Sequence, residues 1–317
     1  MGRRAAMNAK KRNQRILYGS VVVAVVALII VFYLIYSIAS ADPYAKYIGD
    51  PVSTTMANQL SGVSYSTLAS VGEPSGVTPP NKLSGPLLTS NGVPEVLYVG
   101  GEFCPYCGAE RWSIIVALSQ FGQFGGLELM QSSSTDVNPN TPTFTFAGPH
   151  FKYTSKFVSF VPVEEYNRAE GALMNLSTAE SSLVSSYDVC PSTKGSGGIP
   201  FIDVANLYAV SCGAQVDYTC PGSICISDEN WSQISSQLNT PGTSNTPASQ
   251  FAEVADGAAN TLIAAICDAD AQVGLSPPVC SQSFASVPLA NISPAPGGAP
   301  ETSLMAVPAF LESKWTA

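Results

Sequence analysis

Histidine is almost missing from this chain: His150 stands alone among 317 residues. A histidine-dependent triad would have to use that one side chain, and a zinc site would find few imidazoles. Positive charge is scarce too. Fourteen Lys and Arg face 23 Asp and Glu, and Arg3, Arg4, Lys10, Lys11, Arg12 and Arg15 all precede the first acidic residue. Beyond them 8 basic residues face all 23 acidic ones, a formal −15, which argues against nucleic acid as a partner. So few permanent cations would also keep the surface from becoming highly cationic as carboxylates protonate. An acidic exterior is one expectation; ordinary acidic solubility is the other.

What is present first is an uncharged apolar run, Ile16 to Ile38, directly after the basic cluster. As a helix it would extend roughly 34 Å, enough for a hydrocarbon core of about 30 Å. Tyr18, Tyr33 and Tyr36 lie near its ends, as interfacial aromatics do. Ala39-Ser40-Ala41 resembles a processing site, so a cleaved signal peptide competes with a retained anchor. The run exceeds the h-region length of about 7 to 15 residues, which favours the anchor. Either way the basic flank places the N-terminus in the cytoplasm and the rest of the chain outside.

Cys104-Pro105-Tyr106-Cys107 is the stretch richest in chemistry. It follows the apolar run Val96-Leu97-Tyr98-Val99 and opens a helical pattern reaching Gln120. Two intervening residues let the thiols meet across one helical turn, and first-turn N–H groups stabilise a thiolate on the leading cysteine. Pro105 at the first helical position costs little, since its N–H would be unpaired there. The alternatives are half of a zinc site or a plain disulfide. Zinc needs two more ligands, and no second Cys-x-x-Cys exists; Cys220 and Cys225 are separated by four residues. No metal and no cofactor beyond a redox-active disulfide is expected.

Along the chain, 1–15 reads as a basic cytoplasmic segment, 16–40 as the transmembrane anchor and 41–92, with its scattered Gly and Pro, as a stalk. A domain follows over 93–285. It would comprise the strand 96–99, the helix from Cys104, a second strand 127–131, strand-like pieces at 144–146 and 157–161, and a helical insertion at about 163–188. Gly197-Gly198-Ile199-Pro200 then opens a hairpin, 201–204 and 207–210, and helices are expected at 231–238 and 252–268. Residues 286–317 are a low-complexity tail.

This order of elements resembles the thioredoxin-fold superfamily, over about residues 93 to 240. The implied class is α/β: a central mixed sheet flanked by helices, with a helical insertion, behind one transmembrane helix. Pro105-Tyr106 is similar to the glutaredoxin dipeptide, while the exported setting with an insertion is closer to bacterial periplasmic thiol oxidases. Gly100-Gly101-Glu102-Phe103-Cys104-Pro105-Tyr106-Cys107, Ala109-Glu110-Arg111-Trp112 and Ser133-Ser134-Thr135-Asp136 more specifically resemble a membrane-anchored archaeal family catalogued as a domain of unknown function. The superfamily resemblance implies Cys104 as attacking thiol, Cys107 as resolving thiol and Pro200 as a cis-proline facing them, with Ile199 offering its backbone to the substrate. No glutathione pocket is recognisable.

Glu110, three residues after Cys107, could take the proton of the resolving thiol, and Glu102 could tune the proton of Cys104. The other reading of each is a solvated or ion-paired carboxylate. Arg111 reads as a structural ion-pair partner. Six further cysteines allow 15 pairings, of which Cys267–Cys280, Cys220–Cys225 and Cys190–Cys212 are the favoured ones. Asn175, Asn230 and Asn291 open glycosylation sequons.

The expected function is a membrane-anchored, extracytoplasmic thiol-disulfide oxidoreductase, oxidase or isomerase rather than reductase. Its partners would be cysteine-containing exported proteins, a redox protein that resets the pair, and membrane lipid around the N-terminal helix. The alternative is a non-catalytic binding module with a static Cys104–Cys107 bridge.

Overall fold

The computed structural model describes residues 2–39, 42–72, 76–190, 197–216 and 226–286. It divides into two compact units, Met1–Lys46 and Tyr47–Ala317. The first is built on one helix, α1 (Gly2–Ala39). Its stretch Leu17–Leu34 is long and apolar enough to cross a membrane, as an anchor or a signal sequence does.

The second unit starts earlier than the sequence implies. Residues 41–92, expected as a stalk, instead carry α2 (Thr54–Ser61), α3 (Tyr65–Val71), β1 (Asn81–Lys82) and β2 (Thr89–Ser90). Ser53 and Ser64 cap the two helices through their hydroxyls. Met56, Leu60, Val63 and Leu68 are buried, and Asn260 donates to the carbonyls of Leu68 and Gly72, both at 2.8 Å. Helices of seven or eight residues form only by such burial, so their short patterns show little periodicity.

The main sheet is built on β3 (Val93–Gly101), buried along most of its length. α4 (Pro105–Ser119) follows, then β4 (Gly122–Gly125), β5 (Glu128–Gln131), β6 (Pro142–Thr145), β7 (Lys152–Ser155) and β8 (Ser159–Tyr166). After α5 (Thr178–Tyr187) come β9 (Phe201–Val204), β10 (Tyr208–Val210), α6 (Trp231–Gln237) and α7 (Pro247–Gln272). The sheet order is β1-β10-β9-β3-β2, with β8 also on β3. β8 is parallel to β3; β9 is antiparallel to β3 and β10 antiparallel to β9.

The strand parallel to β3 is β8, while β5 pairs with β6 in a sheet of its own. The insertion is helical only at α5: Glu164 to Tyr166 finish β8, and Ser177 with Glu180 forms a capping box that starts the helix about fifteen residues later than the pattern suggested. Of the two helices expected near the end of the domain, α7 is the one packed on both α4 and the main sheet.

Helices cover both faces of the sheet. Leu183, Val184 and Tyr187 of α5 pack over Leu97, Val99, Val163, Phe201 and Ala209. On the other side α7 lies along α4, its alanines Ala255, Ala258, Ala259 and Ala265 fully buried. The β9–β10 hairpin closes through three residues, Ala205 to Leu207, one more than the two expected: Ala205 and Asn206 are left-handed at φ 56° and 59°, the Leu207 N–H donates to the Val204 carbonyl, and Asp203 Oδ1 accepts the Asn206 N–H at 2.8 Å. Cys267–Cys280 joins the end of α7 to the returning chain, and Cys190–Cys212 joins the segment after α5 to the end of β10. Cys220, Cys225 and Asn291 lie outside the described residues. Asn230 caps α6, its side chain accepting from Ser232 and Gln233, while Asn175 is exposed.

Candidate functional site

At the carboxyl end of β3 the chain turns through Gly101-Glu102-Phe103 and enters α4 with Cys104 as its N-cap, φ −76° and ψ 122°. The Cys107 N–H donates to Cys104 Sγ at 3.4 Å, the contact a capping side chain makes with the third helical residue. Both thiols are free and buried, Cys104 at 5% exposure and Cys107 at 0%. The Ile199–Pro200 bond is cis, and the Cys104 Sγ–H points at the Ile199 carbonyl, 3.9 Å away. Cys104 and Ile199, 95 residues apart, therefore meet, with Cys107 bonded to the first and the cis bond to Pro200 following the second.

The two thiols are unequal. A hydrogen bond from the Cys107 thiol, with those from the Cys107 and Tyr106 N–H groups and the charge of Arg111, holds Cys104 below the usual thiol range against its burial. Burial and that same shared bond push Cys107 well above it. This is the polarity that an attacking and a resolving thiol need.

Behind the pair lies a buried charge group. Arg111 is four residues after Cys107, on the same face of α4. Its Nε and Nη2 hold the Glu164 carboxylate at 2.8 and 2.7 Å, and Nη2 also donates to the Gly101 carbonyl at 2.8 Å. Both side chains are fully buried. The guanidinium sits 5.8 Å from the Tyr98 ring centre. The sequence marks Arg111 as an ion-pair residue but does not give its partner, since Glu164 falls in the stretch expected to be helical.

The carboxylates proposed around the thiols are differently engaged. Glu110 is fully buried, but its Oε2 accepts the Gln215 N–H at 2.8 Å, and among the described residues no hydrogen bond joins it to Cys107. Burial pushes its carboxyl up to about 7. Glu102 is 7% exposed and accepts from the Thr145 hydroxyl. Neither reaches a thiol directly. His150 is exposed on the turn between β6 and β7. Among the described residues no cluster of three or more His, Cys, Asp or Glu is arranged to hold a metal ion.

The structure thus defines a mixed α/β domain with an unequal pair of buried thiols at the junction of a central strand and a helix. The chain belongs to the family described as a domain of unknown function, DUF929, whose model matches residues 79–268, from just before β1 to within the last turns of α7. No curated protein and no solved structure matches it.

Proposed function

We propose that this protein is a thiol-disulfide oxidoreductase of thioredoxin-like fold, held outside the cell by its N-terminal helix and acting on cysteines of exported proteins. The observation that carries the reading is the unequal pair itself, with Cys104 at a helix start against the Ile199 carbonyl. Support for the fold comes from the order β8-β3-β9-β10, with β8 parallel and the hairpin antiparallel, and from α4 and α7 together on one face. Support for the compartment comes from the Cys190–Cys212 and Cys267–Cys280 bridges and from the basic flank of the apolar helix.

In the reducing direction Cys104 thiolate attacks one sulfur of a substrate disulfide, forming a mixed disulfide and releasing the other substrate sulfur as a thiolate. Cys107, after losing its proton, attacks Cys104 Sγ. The mixed bond breaks, the second substrate thiolate leaves, and the protein holds a Cys104–Cys107 disulfide, having given up two electrons. The reverse sequence oxidises a substrate dithiol, and a redox partner must then reoxidise the pair. The exported setting and further cysteines favour oxidation or isomerisation. The elevated proton affinity of Cys107 favours the mixed disulfide persisting long enough for isomerisation.

Trapping tests this reading. Cys107→Ser should accumulate disulfide-linked adducts at Cys104 that reducing agent releases, whereas Cys104→Ser should form none. Equal adducts from both variants, or none from either, would leave the pair as a static element.

A further inference from the structure

The parallel strands β3 and β8 end level with each other, Gly101 opposite Tyr166, and the chain beyond them forms the rim of the thiol site. Ligands of α/β sheets bind outside such carboxyl ends. Here a cavity of about 350 Å³ is lined by Ser133, Ser134, Thr135, Arg168, Ala169 and Glu170. It borders the turn that leads into Cys104: the Ser133 N–H donates to the carbonyl of Phe103, the residue before that cysteine, at 2.8 Å. The Phe103 ring leans on Tyr166 with centres 5.9 Å apart.

Arg168 is the cavity's cation. Its Nε donates to the Gln131 and Ser132 carbonyls, both at 3.1 Å, and its Nη2 to Asn140 Oδ1 at 2.8 Å. None of these acceptors is a carboxylate. Among the described residues the ion pair is Arg111 with Glu164, so Arg168 is a guanidinium braced in place with its charge uncompensated and Nη1 without a partner. Past the apolar run the chain has just two arginines, and Arg111 is already spent. A fork whose orientation is prepaid by loop carbonyls loses little entropy on binding a planar two-oxygen anion. The exposed hydroxyl residues Ser134 and Thr135 add donors beside it. Glu170, exposed at the rim, makes a doubly charged phosphate a poorer occupant than a carboxylate.

We propose, on the thiol-exchange reading above, that the Ser133–Thr135/Arg168 cavity is a substrate subsite for a carboxylate close to the target cysteine. The carboxylate comes from an acidic side chain of a polypeptide or from a small acidic disulfide.

The test uses the reduced full-length protein in detergent, with two disulfide reagents of opposite character. One is neutral, 4,4′-dithiodipyridine; the other is the dianion 5,5′-dithiobis(2-nitrobenzoate). Arg168→Gln should lower the ratio of the anionic to the neutral rate by about fivefold, the worth of one partly exposed charge-assisted contact of about 1 kcal/mol. Arg168→Lys should recover part of that loss, and Glu170→Gln should raise the ratio. Peptide disulfides with Asp or Asn two residues from the cysteine separate the sources: an Asp preference lost in Arg168→Gln assigns polypeptides, and an effect confined to the reagent assigns small disulfides. Equal slowing of both reagents would make Arg168 a brace for residues 131–140 and overturn the subsite. An unchanged ratio would do the same. Failure of the wild-type thiols to react even with the neutral reagent would instead remove the exchange reading beneath it.

Discussion

Removing either partner of the Arg111–Glu164 pair should have unequal consequences, and the inequality can be worked out. Both groups are fully buried and share two short hydrogen bonds. Glu164→Leu leaves a guanidinium that cannot shed its proton, still bonded to the Gly101 carbonyl but otherwise stranded in apolar surroundings. Its cost falls in the range for breaking a buried pair, about 3–5 kcal/mol. Arg111→Met leaves a carboxyl that burial already pushes upward, and that can escape by taking a proton. Its cost at neutral pH should be smaller, about 2–3 kcal/mol by the same reasoning. The double variant Arg111→Met/Glu164→Leu replaces the pair with apolar bulk and should recover most of the loss. The pH dependence supplies a second check. In Arg111→Met the folded carboxyl binds its proton more tightly than the unfolded one, so the folded state is favoured below the unfolded value and stability falls as pH rises. Guanidinium unfolding followed by the buried Trp112 and Trp231 measures all three variants. Arg111→Met more damaging than Glu164→Leu, or a double variant worse than both singles, would refute the reasoning.

Glu110, pushed up by burial to about 7, contributes stability that is fully present below the ordinary carboxyl value of 4.5 and lost as pH rises through about 7. The domain should therefore lose about 2.5 kcal/mol between pH 5 and pH 8 from this group alone, and Glu110→Gln should flatten the denaturation-midpoint profile. Asp203 and Asp270, pushed by burial to about 7, act in the same direction. Alkylation of the reduced protein at mildly acidic pH, read by peptide mass, should modify Cys104 well before Cys107; equal labelling contradicts the assigned polarity. Cys280→Ser opens the loop closed across a separation of 13 residues and should lower unfolding free energy by about 3 kcal/mol in the chain-entropy model. Gly126→Ala should fail to fold stably, because its φ of 66° and a Cβ pressed against the His150 carbonyl leave no room; circular dichroism and expression yield report it.

How much was legible follows the range of the interactions. Cys104 through Gln120 reads correctly because the signals are adjacent: an apolar strand, a cap, a proline at the first helical position. The β9–β10 hairpin is likewise local. Glu164 and Glu165 misread as the start of a helix because two successive acids inside a strand make sense only once Arg111, fifty-three residues away, is opposite. The 127–131 strand is legible, but its own pattern does not show that it pairs with the next strand, 142–145, and stays out of the main sheet. Residues 54–71 looked like linker because each helix is too short to show a face. Glu110 sits at the right helical spacing from Cys107, yet its carboxylate turns to the backbone of Gln215, a choice no spacing announces. Arg168 carried one signal that could have found it, its rarity.

The most direct measurement is the oxidation state of each cysteine across a series of glutathione and dithiothreitol buffers, by differential alkylation and mass spectrometry. The account predicts that Cys104–Cys107 forms and reopens reversibly as a unit at a potential in the oxidoreductase range of about −270 to −120 mV, while Cys267–Cys280 stays bonded to below about −300 mV. A Cys104–Cys107 pair that never closes, or that opens only together with Cys267–Cys280, would contradict it.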